Sequence, residues 1–161
     1  MRLQKVAISL IIAASLSTLT ACGAGQNAAS RTITKVTDGA ETAVVTDTSD
    51  LKLRGFLLVA QADGSAVLVG TIVNSNSTPD SLLGISANNL LANITNESNV
   101  ISQNLPMIFE GDSANAKAVV PALNLKAGTH VQVTMFFARA GELTVSTLVY
   151  SQSEKYEAVT A

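Results

Sequence analysis

The chain has 161 residues, enough for one domain and a modest extra segment, and its 47% hydrophobic share excludes a disordered polypeptide. Charged residues make up 14%, the net charge is −2, and no basic patch or arginine cluster is present, so nucleic acid is excluded as a partner. Tryptophan is absent, aromatics are few, and abundant Val, Thr, Ser, Ala and Asn favour strands and turns over helices.

The N-terminus reads MRLQKVAISLIIAASLSTLTAC. Arg2 and Lys5 precede an apolar run, Val6 to Leu16, that is too short for a permanent membrane span. Leu19-Thr20-Ala21-Cys22 then matches a bacterial lipobox. Residues 1–21 are expected to be a lipoprotein signal peptide, with Cys22 as the first mature residue, carrying lipid on its sulfur and amine. The bland alternative is an ordinary secretory signal cleaved nearby. Loss of Arg2 and Lys5 would take the net charge to −4. Cys22 is the single cysteine, so lipidation removes it as a metal ligand, nucleophile or disulfide partner. Residues 22–30 comprise that cysteine and GAGQNAAS, a small, polar stretch that reads as a flexible tether averaging roughly 15 Å end to end. The expected location is the extracytoplasmic face of a bacterial cell membrane, anchored through lipid rather than spanning.

Residues 31–151 show short strand patterns broken by turn residues. Arg31 to Val36 and Ala43 to Asp47 are weak. Leu51 to Gln61 (LKLRGFLLVAQ) is strong and ends in the turn Ala62-Asp63-Gly64-Ser65. Ala66 to Asn74 (AVLVGTIVN) is apolar on both faces, which predicts a central strand. Ser75 to Asp80 reads as a turn and Ser81 to Ala87 as a returning strand. Residues 88–118 are rich in Asn and Ser and lack clear periodicity outside Leu105 to Phe109. Thr129 to Ala138 and Glu142 to Ser151 form a hairpin through Arg139-Ala140-Gly141, and residues 152–161 read as a loose tail. About seven or eight strands at this spacing predict an all-β fold, an antiparallel β-sandwich. Nucleophile elbow, P-loop, EF-hand and Cys-x-x-Cys motifs are absent. The single histidine lies on a strand face with no Asp or Ser partner indicated by the sequence, so a non-enzymatic protein is expected.

The stretch GTHVQVTMFF contains the single histidine and one of three methionines, a combination that suggests copper. Strand parity argues otherwise. His130, Gln132 and Thr134 share a polar face, while Val131, Val133, Met135 and Phe137 share an apolar one. Met135 is therefore expected in the core and His130 at the surface, and five strand residues separate them by roughly 16 Å. Beyond His130, the mature chain offers Met107 and Met135 as soft donors.

The run GFLLVAQADGSAVLVGTIVNSNSTPDSLLGISA contains Gly70-Thr71-Ile72-Val73-Asn74 and Asp80-Ser81-Leu82-Leu83-Gly84, and LKAGTHVQVTMFFARAGELTVSTLV closes the chain. These stretches resemble the PCu(A)C family of periplasmic copper chaperones, in particular its actinobacterial LpqE-like lipoprotein branch. The resemblance implies a cupredoxin-like or immunoglobulin-like sandwich. The family's copper motif is a histidine, a methionine about eleven positions later, and a downstream His-x-Met. Met107 fits the methionine, Asn96 stands where the first histidine would be, and Gln132 follows His130 where a methionine would complete the pair. The resemblance thus implies the family's framework with a degenerate copper motif. The expected function is a lipid-anchored envelope binding or interaction module with no cofactor, whose partners are the membrane, through its lipid, and an envelope protein. The alternative is a copper-binding chaperone in which Met107, His130 and Asn96 gather at one end of the sandwich.

Overall fold

The computed structural model describes residues 38–161. The signal peptide, Cys22, the tether and the weak strand expected at Arg31 to Val36 lie outside the described residues. Eleven strands follow in order: β1 (Ala40–Val45), β2 (Asp50–Ala60), β3 (Ala66–Asn74), β4 (Asp80–Ala87), β5 (Leu90–Leu91), β6 (Asn93–Asn96), β7 (Val100–Ile101), β8 (Met107–Phe109), β9 (Ala116–Val120), β10 (His130–Phe137) and β11 (Gly141–Ser151). The helical content of the described residues is one 3₁₀ turn, Glu154–Tyr156.

The strands run β5-β4-β10-β11-β2-β3-β8-β9-β6, with β1 added beside β2 and β7 beside β4. This ladder folds over into a sandwich. Leu82, Ile85, Val133, Met135, Leu143 and Val145 from one layer share a single core with Leu51, Leu53, Phe56, Leu68, Ile72 and Phe109 from the other. The joint is β11: Gly141 to Leu148 pair antiparallel with β10, and Val149 to Ser151 pair parallel with Leu58 to Ala60 of β2. The all-β sandwich holds, with parallel pairings at β11–β2 and β8–β9. The strand count exceeds seven or eight because β5, β6, β7 and β9 form in the aperiodic middle or beside it.

Both faces of β2 and β3 are covered over Leu57 to Val59 and Ala66 to Leu68, as their apolar sequences require. Phe56 and Leu58 enter the main core, while Leu57, Val59 and Val67 form a second cluster with Val159. Residues 152–161, expected as a loose tail, supply that cover. Val159 is buried, and its carbonyl accepts hydrogen bonds from Gln152 Nε2 at 2.9 Å and Gln61 Nε2 at 3.3 Å. Lys155 also pairs with Asp38 at 2.6 Å, and Tyr150 Oη donates to the Asp38 carbonyl at 3.0 Å.

Three devices fix the register. Between Arg54 and Leu57 one extra residue bulges from β2, and Gly55 takes a φ of 64° there. The Phe56 ring then lies against Gly70, where a Cβ would stand 2.9 Å from ring carbons, and Thr147 Oγ1 donates to the Phe56 carbonyl. Second, buried Asn74 donates from Nδ2 to the carbonyls of Thr78 and Ile101, both at 3.0 Å, tying the turn after β3 to β7. Third, Asp80, 4% exposed, accepts from the backbone N–H groups of Ser81 at 2.7 Å and of Arg139 and Ala140 at 2.9 Å each. Its carboxylate satisfies donors at the tip of the β10–β11 hairpin, where Gly141 has a φ of 76°.

Candidate functional site

Met107 opens β8 opposite Ile72 of β3, and its side chain is 5% exposed. It lines a hollow of about 240 Å³ together with Glu97, Val100, Leu105, Pro106 and Asn115. Leu105 and Val100 are exposed at 66% and 51%, and with Ser98 and Ser102 they complete a lining of mixed polarity around the buried methionine. Asn115 holds the segment in place. Its Oδ1 accepts from Ile108 N at 2.8 Å and its Nδ2 donates to the Pro106 carbonyl at 3.0 Å. Apart from Leu105 to Met107, this rim was not legible in the sequence, because it comes from the Asn- and Ser-rich middle where no periodicity marks a face.

Asn96 ends β6 and lines an adjoining hollow of about 370 Å³ that shares Glu97 and Asn115 with the first. Its Nδ2 donates to the Ser98 carbonyl at 3.1 Å and to Asn99 Oδ1 at 2.8 Å, so the amide stabilises the turn after β6. Lys117, which lines this second hollow, approaches Glu110 at 3.9 Å.

His130 does not join them. It begins β10, is exposed, and pairs with Leu148 of β11, whose neighbour Val149 pairs with Leu58 and, through it, with Leu68 of β3. Met107 pairs with Ile72, four residues farther along β3, or roughly 13 Å. Strands β11, β2 and β3 separate β10 from β8, and the two side chains have opposite exposure. Among the described residues none hydrogen-bonds the imidazole, and none form a group of three or more His, Cys, Asp or Glu able to hold a metal ion. Met135 is fully buried between Ile85 and Leu143, as strand parity required. The donor set expected for copper(I), two to four thiolate, thioether or imidazole groups together, is therefore not assembled from these residues. Cys22 lies outside the described residues.

One electrostatic cluster stands elsewhere. The hydrogen bond from Lys155, and then its charge, hold the Asp38 carboxyl below the usual carboxylate range, and the same bond raises Lys155. Lys155 also lies 5.5 Å from the Tyr156 ring centroid, and Tyr156 packs on Tyr150 at 5.2 Å. These contacts clip the C-terminal segment to the start of the described chain.

No protein-family model and no curated protein matches the sequence. Solved structures do match. The apo PCuAC domain of PmoF1 superposes with a TM-score of 0.54 at 20% identity, covering 68% of this chain and 99% of that one. The copper-bound PCuAC domain of PmoF2 gives 0.56 at 17% identity, covering 68% and 98%. The apo PmoF2 domain gives 0.56 at 16%, covering 71% and 97%. At these identities the likeness establishes a shared fold: the chain carries a PCuAC-like β-sandwich.

Proposed function

We propose that this chain is a lipid-anchored, non-enzymatic binding module on the extracytoplasmic face of a bacterial envelope. It keeps the PCuAC-like framework with a degenerate copper motif, as in an LpqE-like lipoprotein, and engages an envelope protein through the Met107 hollow. The observation that carries this reading is the separation of His130 from Met107, with one exposed and the other buried in the lining of the hollow. Cys22, at the end of the signal sequence, supports the anchor. Among the described residues no acid or hydroxyl hydrogen-bonds His130, which supports a non-enzymatic reading.

A second reading, a copper-delivering chaperone, is favoured by one observation: Met107 and Asn96 line adjoining hollows that share two residues. Copper would then be cargo. A copper(I) competition titration on the chain from Gly23 onward, with Met107→Ala and His130→Ala alongside, separates the two. The module reading expects no affinity above that of a generic protein surface. Tight one-to-one binding abolished in both variants would overturn it and restore the chaperone.

A further inference from the structure

Strand β4 forms the long outer strand of its layer, and its pairing with β10 slips between Phe136↔Gly84 and Phe137↔Leu82. The slip leaves Leu83 without a partner on β10 and turns it outward, 67% exposed. Farther along the same face, Leu91 of β5 stands opposite Ser86 and is 70% exposed. Phe136, half-buried on β10, lies beside Gly84 between them. The rest of this outer face is uncharged for most of its extent: Gln132, Thr134, Thr144 and Ser146 alternate with the buried residues, and the Thr134 and Thr144 hydroxyls bond at 2.9 Å. Glu142, opposite Phe136, is the carboxylate on it, and exposed His130 stands at its far end on β10.

We propose that this face, centred on Leu83, Leu91 and Phe136, rests on the lipid surface to which the chain is anchored. The inference rests on the reading of Cys22 as the lipid-bearing residue. Two observations select a bilayer as the occupant. Residues 23–37 lie between Cys22 and Asp38, and a chain of that length spans at most about 50 Å, so the domain is held beside its membrane. The three side chains expose roughly a few hundred Å², far less than the ~800 Å² per partner of a stable protein interface. An anchored domain needs no such area. Its attachment already supplies the local concentration, and modest apolar contact at the headgroup boundary then orients it.

The chain contains no tryptophan, so one introduced residue reports its surroundings without background. The mature chain beginning at Cys22 is coupled through that thiol to maleimide-bearing lipid in phosphatidylcholine vesicles. One version carries Leu91→Trp and a control carries Thr95→Trp on exposed β6 of the other layer. The expected result is blue-shifted emission at position 91, quenched by lipids spin-labelled near the headgroup, with solvent-like emission at position 95. Adding Leu83→Asp, at an exposed site that leaves folding intact by circular dichroism, should weaken the membrane-apposed population roughly tenfold. Solvent-like emission at both positions in the coupled chain overturns the proposal. So does a blue shift that appears without vesicles and grows with protein concentration, which would assign the face to a second copy. Because coupling sets the anchor chemically, the result does not depend on cellular acylation, which the mass of the Cys22 peptide from bacterial membranes tests separately.

Discussion

The Asp80 carboxylate bridges residues about sixty positions apart in sequence, and its removal tests whether that bridge stabilises the fold. In Asp80→Ala, three charge-assisted hydrogen bonds vanish, and the N–H groups of Ser81, Arg139 and Ala140 lose their acceptor. At about 1.5 kcal/mol each the gross loss approaches 4–5 kcal/mol. Arg139 is exposed and Ala140 half-buried, so water re-enters and recovers part of it, leaving a net cost of about 2–3 kcal/mol. That is a large share of the ~5–15 kcal/mol available to a domain, and corresponds to a fall of roughly 10 °C in Tm. Urea unfolding followed by far-ultraviolet circular dichroism measures it, with Asp112→Ala, an exposed turn residue, as the control expected within about 0.5 kcal/mol. Asp80→Asn should fall between, because one amide oxygen can still accept while the amide nitrogen faces a donor. A cost for Asp80→Ala no larger than the control's would refute the reasoning, and would mean that the hairpin tip holds its shape through Gly141 and strand pairing alone.

Two other predictions concern the same framework. Gly70→Ala places a methyl 2.9 Å from the Phe56 ring at a backbone φ of 150°, so it should cost about 2–4 kcal/mol; Phe56→Leu in the same chain should recover part of that, and strict additivity in a double-mutant cycle would show that the ring is not what glycine accommodates. Asp63 is held below its ordinary value of 3.8, first by the Ser65 hydroxyl and then by the Ser65 N–H. A depressed folded value means the turn's contribution is full above the unfolded carboxyl's range and is lost as pH falls through the folded midpoint. Carbon-detected nuclear magnetic resonance titration should therefore show a low Asp63 midpoint that rises in Ser65→Ala, and equal midpoints in the two chains would count against the hydroxyl's role.

Strands β2, β3, β10 and β11 were legible because each is long enough for parity, or for a continuous apolar run, to declare which face is buried. The parity of β10 even separated Met135 from His130. Strands β5 and β7 have two residues each, too few to show any period, and β9 alternates through Ala116 and Ala118, whose small side chains give a weak signal. Asp80 read as the end of a turn because its function depends on donors near residue 140, and no local pattern records a contact at that range. The tail was misread for a similar reason. Val159 looks isolated in sequence, but the outer face of β2 and β3 needs an apolar cover and takes it from there. At the candidate site, Met107 and Asn96 could be picked out through the resemblance to a known copper motif. Their surroundings could not, since the hollow's walls come from turns whose conformations Asn side chains set through local hydrogen bonds.

The placement of β11 has a consequence for biogenesis. This strand closes the gap between the two layers, yet it is the last strand of the described residues, and its parallel partner β2 stands ninety positions earlier. A polypeptide emerging N-terminus first during its synthesis would present β1 to β9 with the sandwich still missing its seam. The core could not close until residues 141–151 had followed. Closure of the core thus waits on the last strand, and the same connectivity sets a slow closing step, because contacts so distant in sequence must form together.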